Sequence, residues 1–179
     1  MQSRLVRVSK FLSRVLRHQP ERIGIELDRA GWVAVSDLLA ACRAHNFPVT
    51  REELAEVLRE NDKQRFALSE DGTRIRASQG HSVRVELGYA SLAPPPVLYH
   101  GTAAHLLDSI SARGLLKGRR HHVHLSADTA TAAKVGARHG RPLVIEVESG
   151  RMHAEGYEFY RSDNGVWLTE HVPAKYLVL

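Results

Sequence analysis

The chain has 179 residues, 43% hydrophobic and 25% charged, with 13 Gly and 7 Pro. That composition is globular, sized for one large domain or two small ones, and it excludes disordered and fibrous polymers. No apolar run approaches the roughly 20 residues of a membrane span. The first 18 residues interleave bases with apolar side chains, unlike the unbroken apolar region of a signal peptide. The single cysteine, Cys42, can form neither an internal disulfide nor, alone, a thiolate metal site, so a reducing cytoplasm is the expected compartment.

The formal net charge is +5, and its location matters. Residues 1–20 carry Arg4, Arg7, Lys10, Arg14 and Arg17 and no acid. A basic block on one element points to a polyanion, with nucleic acid ahead of a membrane, although a solvated helix face would look the same.

Leu5, Val8, Leu12, Val15 and Leu16 recur at helical spacing until Pro20. A second helix is predicted to carry Leu38, Leu39 and Cys42, with Ser36 as its cap. Thr50-Arg51-Glu52-Glu53 is a capping-box pattern opening a third, with Leu54, Val57 and Leu58 inward. Phe66–Ser69 and Thr73–Ala77 flank the turn Glu70-Asp71-Gly72 and predict a β-hairpin. Three helices followed by a hairpin is the order of a winged-helix module. A small helical domain with the hairpin as a lid is the alternative.

Pro94-Pro95-Pro96 removes three amide donors in succession and marks an extended linker over roughly 88–96. Beyond it, strands are expected at Val97–His100, Val123–Ser126, Leu143–Val147, Gly165–Thr169 and Tyr176–Leu179, with helices at about 104–113 and 127–138. The fold class expected for the whole chain is α+β. The expected domains are 1–88 and 97–179, joined by 89–96. No P-loop and no GxGxxG is present.

Eleven histidines are the first abundance to explain. On a strand, period two places His122 and His124 on one face and His121 on the other. His-x-His can bind zinc, but no third ligand stands at a convincing spacing, so no metal is expected and the histidines are read as lining a ligand or as core residues. Arg17-His18 closes the first helix, Arg65 stands at the foot of the hairpin, and Arg120 precedes the histidine strand. Arginine's planar fork suits phosphate and keeps its proton, so such a set holds phosphate without doing base catalysis.

Leu16-Arg17-His18, Lys63-Gln64-Arg65-Phe66, Gln79-Gly80-His81-Ser82, Tyr99-His100-Gly101-Thr102, Arg120 through Ser126 and Gly165-Val166-Trp167-Leu168-Thr169 stand in order along the chain. Together they resemble the motifs of the NAD-dependent RNA 2′-phosphotransferases, the KptA family, from about residue 9 to the C-terminus. The resemblance implies an N-terminal winged-helix RNA lobe and a C-terminal ADP-ribosyltransferase-like lobe that binds NAD. It implies removal of an internal RNA 2′-phosphate in two steps, through a 2′-phospho-ADP-ribosylated RNA. The products are 2′-OH RNA, ADP-ribose 1″,2″-cyclic phosphate and nicotinamide, in a setting of tRNA splicing or RNA repair.

The family's catalytic set carries over to Arg17, His18, Arg65 and Arg120, with Arg120 rather than Arg119 taking the last place. Its NAD-binding motifs fall on His100, Gly101, Thr102, His122, His124 and Ser126, and Lys10, Arg14 and Lys63 are expected to bind RNA. His121 stands where other members often carry a polar residue such as Gln. His18 is the expected proton donor or acceptor, and Glu170 is expected to be a surface residue. The partner implied is an RNA with an internal 2′-phosphate, acted on by a monomer away from membranes. An ADP-ribosyltransferase acting on nucleic-acid ends or protein, and a winged-helix regulator with an inert second domain, are the competing readings.

Overall fold

Residues 4–17 contain neither Gly nor Pro and form helix α1 (Arg4–Arg17). Its apolar stripe is the predicted one: Val8, Leu12, Val15 and Leu16 are buried and Leu5 packs against them. The computed structural model describes residues 3–60 and 64–179. The chain divides into two compact units, Met1–Gly88 and Tyr89–Leu179, each with its own apolar core.

In the N-terminal unit Pro20 opens a single 3-10 turn, Pro20–Ile23. Then follow β1 (Val33–Ala34), α2 (Val35–Ala44), α3 (Arg51–Arg59), β2 (Phe66–Leu68) and β3 (Arg74–Ala77). The capping box at Thr50 forms as predicted: Glu53 N–H donates to Thr50 Oγ1 at 3.1 Å, and Thr50 N–H donates to Glu53 Oε2 at 3.0 Å. The Ser36 cap does not form. Helix α2 begins two residues earlier than that cap requires, with Ala34 at the cap position, and Ser36 turns to Asp37. The reason is the sheet: Val35 N–H donates to Thr73 O at 2.9 Å, so the end of β1 runs straight into the helix.

The hairpin is present, with β2 and β3 antiparallel and Phe66 opposite Ala77. At its turn the Asp71 carboxylate accepts from Ser69 Oγ, Thr73 N–H and Thr73 Oγ1, which lowers its pKa to about 2. Strand β1 joins the other edge of β3, giving the order β1-β3-β2.

The C-terminal unit contains β4 (Leu98–Ala103), α4 (Leu107–Arg113), β5 (Leu115–Leu116), β6 (Val123–Leu125), α5 (Thr129–Gly136), β7 (Pro142–Val147), α6 (Ser149–Ala154), β8 (Tyr160–Arg161), β9 (Trp167–Thr169), β10 (His171–Val172) and β11 (Leu177–Val178). All pairings are antiparallel, in the orders β11-β7-β4, β6-β9-β8 and β10-β5. The architecture is α+β. The proline run is extended and docked within this unit: Pro95 O accepts from Ser149 Oγ at 2.7 Å and Pro96 O from Gly150 N–H at 2.9 Å. Prolines lack donors, but their carbonyls remain acceptors.

The Gly165–Thr169 motif supplies β9, where Trp167, Leu168 and Thr169 are all buried. Among the described residues no helix is long and apolar enough to cross a membrane.

Candidate functional site

In the N-terminal unit the C-terminal end of α1 presents Arg17, half-buried, and His18, exposed. Arg17 Nε and one terminal nitrogen carry almost no exposed surface. The turn after β3 clasps this end: the Ser82 and Val83 amides both donate to Arg17 O, at 2.9 and 3.3 Å. Ser82 Oγ lies 2.9 Å from His18 Nδ1. The same turn holds Arg65, because Ser78 N–H donates to Arg65 O at 2.9 Å and Ser78 Oγ donates to Gln64 O at 2.8 Å. Gln64 itself is in the left-handed region, at φ +38°.

Arg65 Nη1 donates to Ser9 Oγ at 3.2 Å, so its guanidinium meets α1. Ser9, Ser13 and Arg17 recur every four residues and share one stripe of that helix. A second stripe carries Arg7, Lys10 and Arg14, all exposed. Among the described residues none of these three is in an ion pair, while Arg4 is held by Glu53 at 2.8 Å. Lys63 lies outside the described residues.

In the C-terminal unit, main-chain bonds in both directions between Tyr99 and Ser126, at 2.9 and 2.7 Å, bring β4 against the end of β6. This joins the two histidine motifs. His100 Nδ1 lies 3.0 Å from His124 O, and a carbonyl only accepts, so the His100 proton is on Nδ1. Arg120 Nη1 lies 3.1 Å from His124 Nδ1, and a guanidinium only donates, so the His124 proton is on Nε2. Arg120, His124 and His100 therefore form one oriented chain. It is Arg120, not Arg119, whose guanidinium enters it.

Electrostatics follow from this packing. Burial pushes the His100 pKa down, against the bond to His124 O, and the Arg120 charge adds to the fall. Burial and then the positive charge of Arg138 lower Arg120, which stays cationic at neutral pH. Burial also lowers His122, opposed by the Glu170 carboxylate. The His122 ring lies 5.5 Å from the ring of Tyr160. Glu170 is exposed and ion-paired with Lys117.

Gly101 and Thr102 are buried beneath α5. A Cβ on Gly101 would stand 1.7 Å from Ala132 O, and one on Gly136 would stand 2.5 Å from Thr102 O. These two glycines let helix and strand approach backbone to backbone. Among the described residues no group of three or more His, Cys, Asp or Glu side chains is placed to hold a metal ion.

Three participants had no assigned role in the sequence: Ser82 on His18, Arg138 near Arg120, and Tyr160 against His122. Ser82 lay in a quoted motif. The other two gave no signal, since only the tertiary fold brings them close.

The sequence matches the family described as RNA 2′-phosphotransferase, Tpt1 / KptA family, over residues 3–171. It is 57% identical over 176 residues to a protein of Streptomyces coelicolor, covering 98% of this chain and 96% of that one. It is 54% identical to one of Acaryochloris marina, covering 99% and 98%, and 56% identical to one of Agrobacterium fabrum, covering 96% and 92%. All three carry the name "Probable RNA 2′-phosphotransferase". With a motif set that runs the length of the chain and identities above half, this chain belongs to the RNA 2′-phosphotransferase family.

Proposed function

We propose that this protein removes an internal 2′-phosphate from RNA by transferring it to NAD⁺. In the first step a 2′-phosphate oxygen bonds to the anomeric carbon of the nicotinamide ribose as the bond to nicotinamide breaks, its electron pair leaving with nicotinamide. In the second, the neighbouring ribose hydroxyl bonds to phosphorus and the bond to the RNA 2′-oxygen breaks. That hydroxyl's proton ends on the RNA oxygen, leaving 2′-OH RNA and ADP-ribose 1″,2″-cyclic phosphate.

The observation that carries this reading is the chain from Arg120 through His124 to His100. It links a cation suited to phosphate to the His100 imidazole, whose pKa burial lowers, favouring the neutral ring. The first step builds positive charge on the sugar, which a neutral ring tolerates better than an imidazolium. With its proton on Nδ1, His100 offers Nε2 as an acceptor for a ribose hydroxyl. These residues fit the dinucleotide.

The nucleophile is already anionic, so the first step needs orientation more than a base. Arg17 and Arg65 are cast as phosphate-binding groups, and His18 as the group that moves the proton in the second step. The exposed stripe of Lys10 and Arg14 is cast as the RNA-backbone contact. Three helices followed by the β2-β3 hairpin, with β1 paired to the other edge of β3, support a winged-helix assignment for the first unit. The short antiparallel sheets of the second support an ADP-ribosyltransferase-like one.

The test is a 2′-phosphorylated oligoribonucleotide incubated with and without NAD⁺ and with a chelator. Dephosphorylated RNA and released nicotinamide are expected only with NAD⁺, and in chelator as well. Nicotinamide release that ignores the 2′-phosphate would favour an ADP-ribosyltransferase of other specificity.

A further inference from the structure

We infer that Ser82 is a positioning residue for His18, holding its ring in place while allowing the proton to move between the two nitrogens. The inference rests on the proposed catalytic role of His18. Ser82 Oγ lies 2.9 Å from His18 Nδ1, and Ser82 N–H donates to Arg17 O. One residue thus grips both members of the Arg17-His18 pair, the first through its backbone and the second through its side chain.

The turn that carries Ser82 is itself anchored. His81 is 1% exposed, with its Nε2 against Gly31 beside Val85, and Ser78 ties the start of the turn to Gln64 and Arg65. The hydroxyl is therefore presented from a built support and not from a free loop.

The chemistry of the partner distinguishes His18 from His100. A carbonyl accepts only, so His124 O locks His100 in one tautomer. A hydroxyl both donates and accepts. When Nε2 of neutral His18 carries the proton, Ser82 donates to Nδ1. When Nδ1 carries it, or when the ring is cationic, Ser82 accepts. The ring keeps its anchor in every state. A hydroxyl partner therefore suits every protonation state of the ring, whereas a carbonyl partner suits only those with a proton on Nδ1. Tertiary structure thus sorts the two histidines by the atom each one meets.

The test compares Ser82→Ala and Ser82→Thr with the unaltered full-length protein. The ring nitrogens of His18 are read by NMR on histidine labelled with nitrogen-15, with His18→Gln assigning the signal. Ser82→Ala should move both ring shifts toward those of a solvent-exposed histidine and lower kcat about tenfold with KM little changed. The pH profile of kcat should shift as well. Ser82→Thr, which keeps the hydroxyl, should restore shifts, profile and rate.

Unchanged ring shifts in a folded Ser82→Ala protein, or failure of Thr to restore them, would overturn the inference. A thermal melt identifies a variant that has lost its fold, in which case the Thr substitution decides. If His18→Gln retains full activity, the catalytic reading of His18 fails. The ring shifts still report separately whether Ser82 positions it.

Discussion

His100 donates its Nδ1 proton to the main-chain oxygen of His124 at 3.0 Å, and the same residue's ring accepts from Arg120 at 3.1 Å. Two motifs more than 20 positions apart in sequence are thereby joined through one residue, by its backbone on one side and its ring on the other. The His100 ring should titrate below the ordinary histidine value of about 6.5 and show the Nδ1–H tautomer throughout its neutral range. Nitrogen-15 NMR reads both, and an Nε2–H tautomer would contradict the bond.

The sign of the pH effect follows. Folding favours neutral His100, so the unfolded chain binds the proton more readily. The ring's contribution to stability is present above about 6.5 and is lost as pH falls through the lowered folded value. His100→Asn, which can still donate to the carbonyl, should show a smaller fall in Tm between neutral and acid pH. His122 is displaced in the same direction, so part of the slope remains.

Gly101→Ala should be severely destabilising. Its Cβ would lie 1.7 Å from Ala132 O and 2.6 Å from Ala132 C, both backbone atoms of α5, so only a movement of the helix can relieve the clash. A loss of about 3 kcal/mol or more is expected, large enough to unfold a marginal domain. Circular dichroism melts check it. Gly72→Ala, where a Cβ would meet nothing within 4 Å, should cost far less despite its positive φ of +68°.

Lys10→Ala and Arg14→Ala should each weaken RNA binding without changing Tm or base preference. Each removed phosphate contact should reduce the slope of log affinity against log salt by about 1. Filter binding over a salt series measures this. Salt-independent affinity would remove α1 as the backbone reader.

Arg65→Ala should slow transesterification more than ADP-ribosylation, because charge builds on phosphorus only in the second step. The 2′-phospho-ADP-ribosylated RNA should then accumulate, with a loss of about 10²-fold or more in the second rate. Arg65→Lys should recover part of it, keeping charge but losing the bidentate fork. Arg65 also bonds Ser9, so a purely packing role is a real competitor. In that case the melt falls and both steps fail together.

The elements legible in the sequence were those whose pattern is local. The apolar stripe of α1, the capping box at Thr50 and the Asp71-Gly72 turn all depend on residues within a few positions of one another, and each formed as read. Strands β1, β5, β8 and β10 have two residues each, too few for alternation to register, and exist because a partner strand lies alongside. Ser36 had the right chemistry for a cap, but the sheet holds the Val35 amide through Thr73 O and the helix starts there, which places Ser36 inside its first turn.

The candidate site divides along the same line. Residue type drew attention to Arg17, His18, Arg65 and Arg120, because guanidinium suits phosphate, and the family resemblance then assigned these four and His100 to the expected site. Sequence could not say which ring nitrogen carries a proton. For His100 that choice is made by the carbonyl oxygen of His124 and for His124 by the guanidinium of Arg120, whereas the Ser82 hydroxyl accommodates a proton on either nitrogen of His18. Those partners lie from 4 to 64 positions away along the chain, at no recurring spacing, so no periodicity could announce them and only the packed chain brings them to hydrogen-bonding distance.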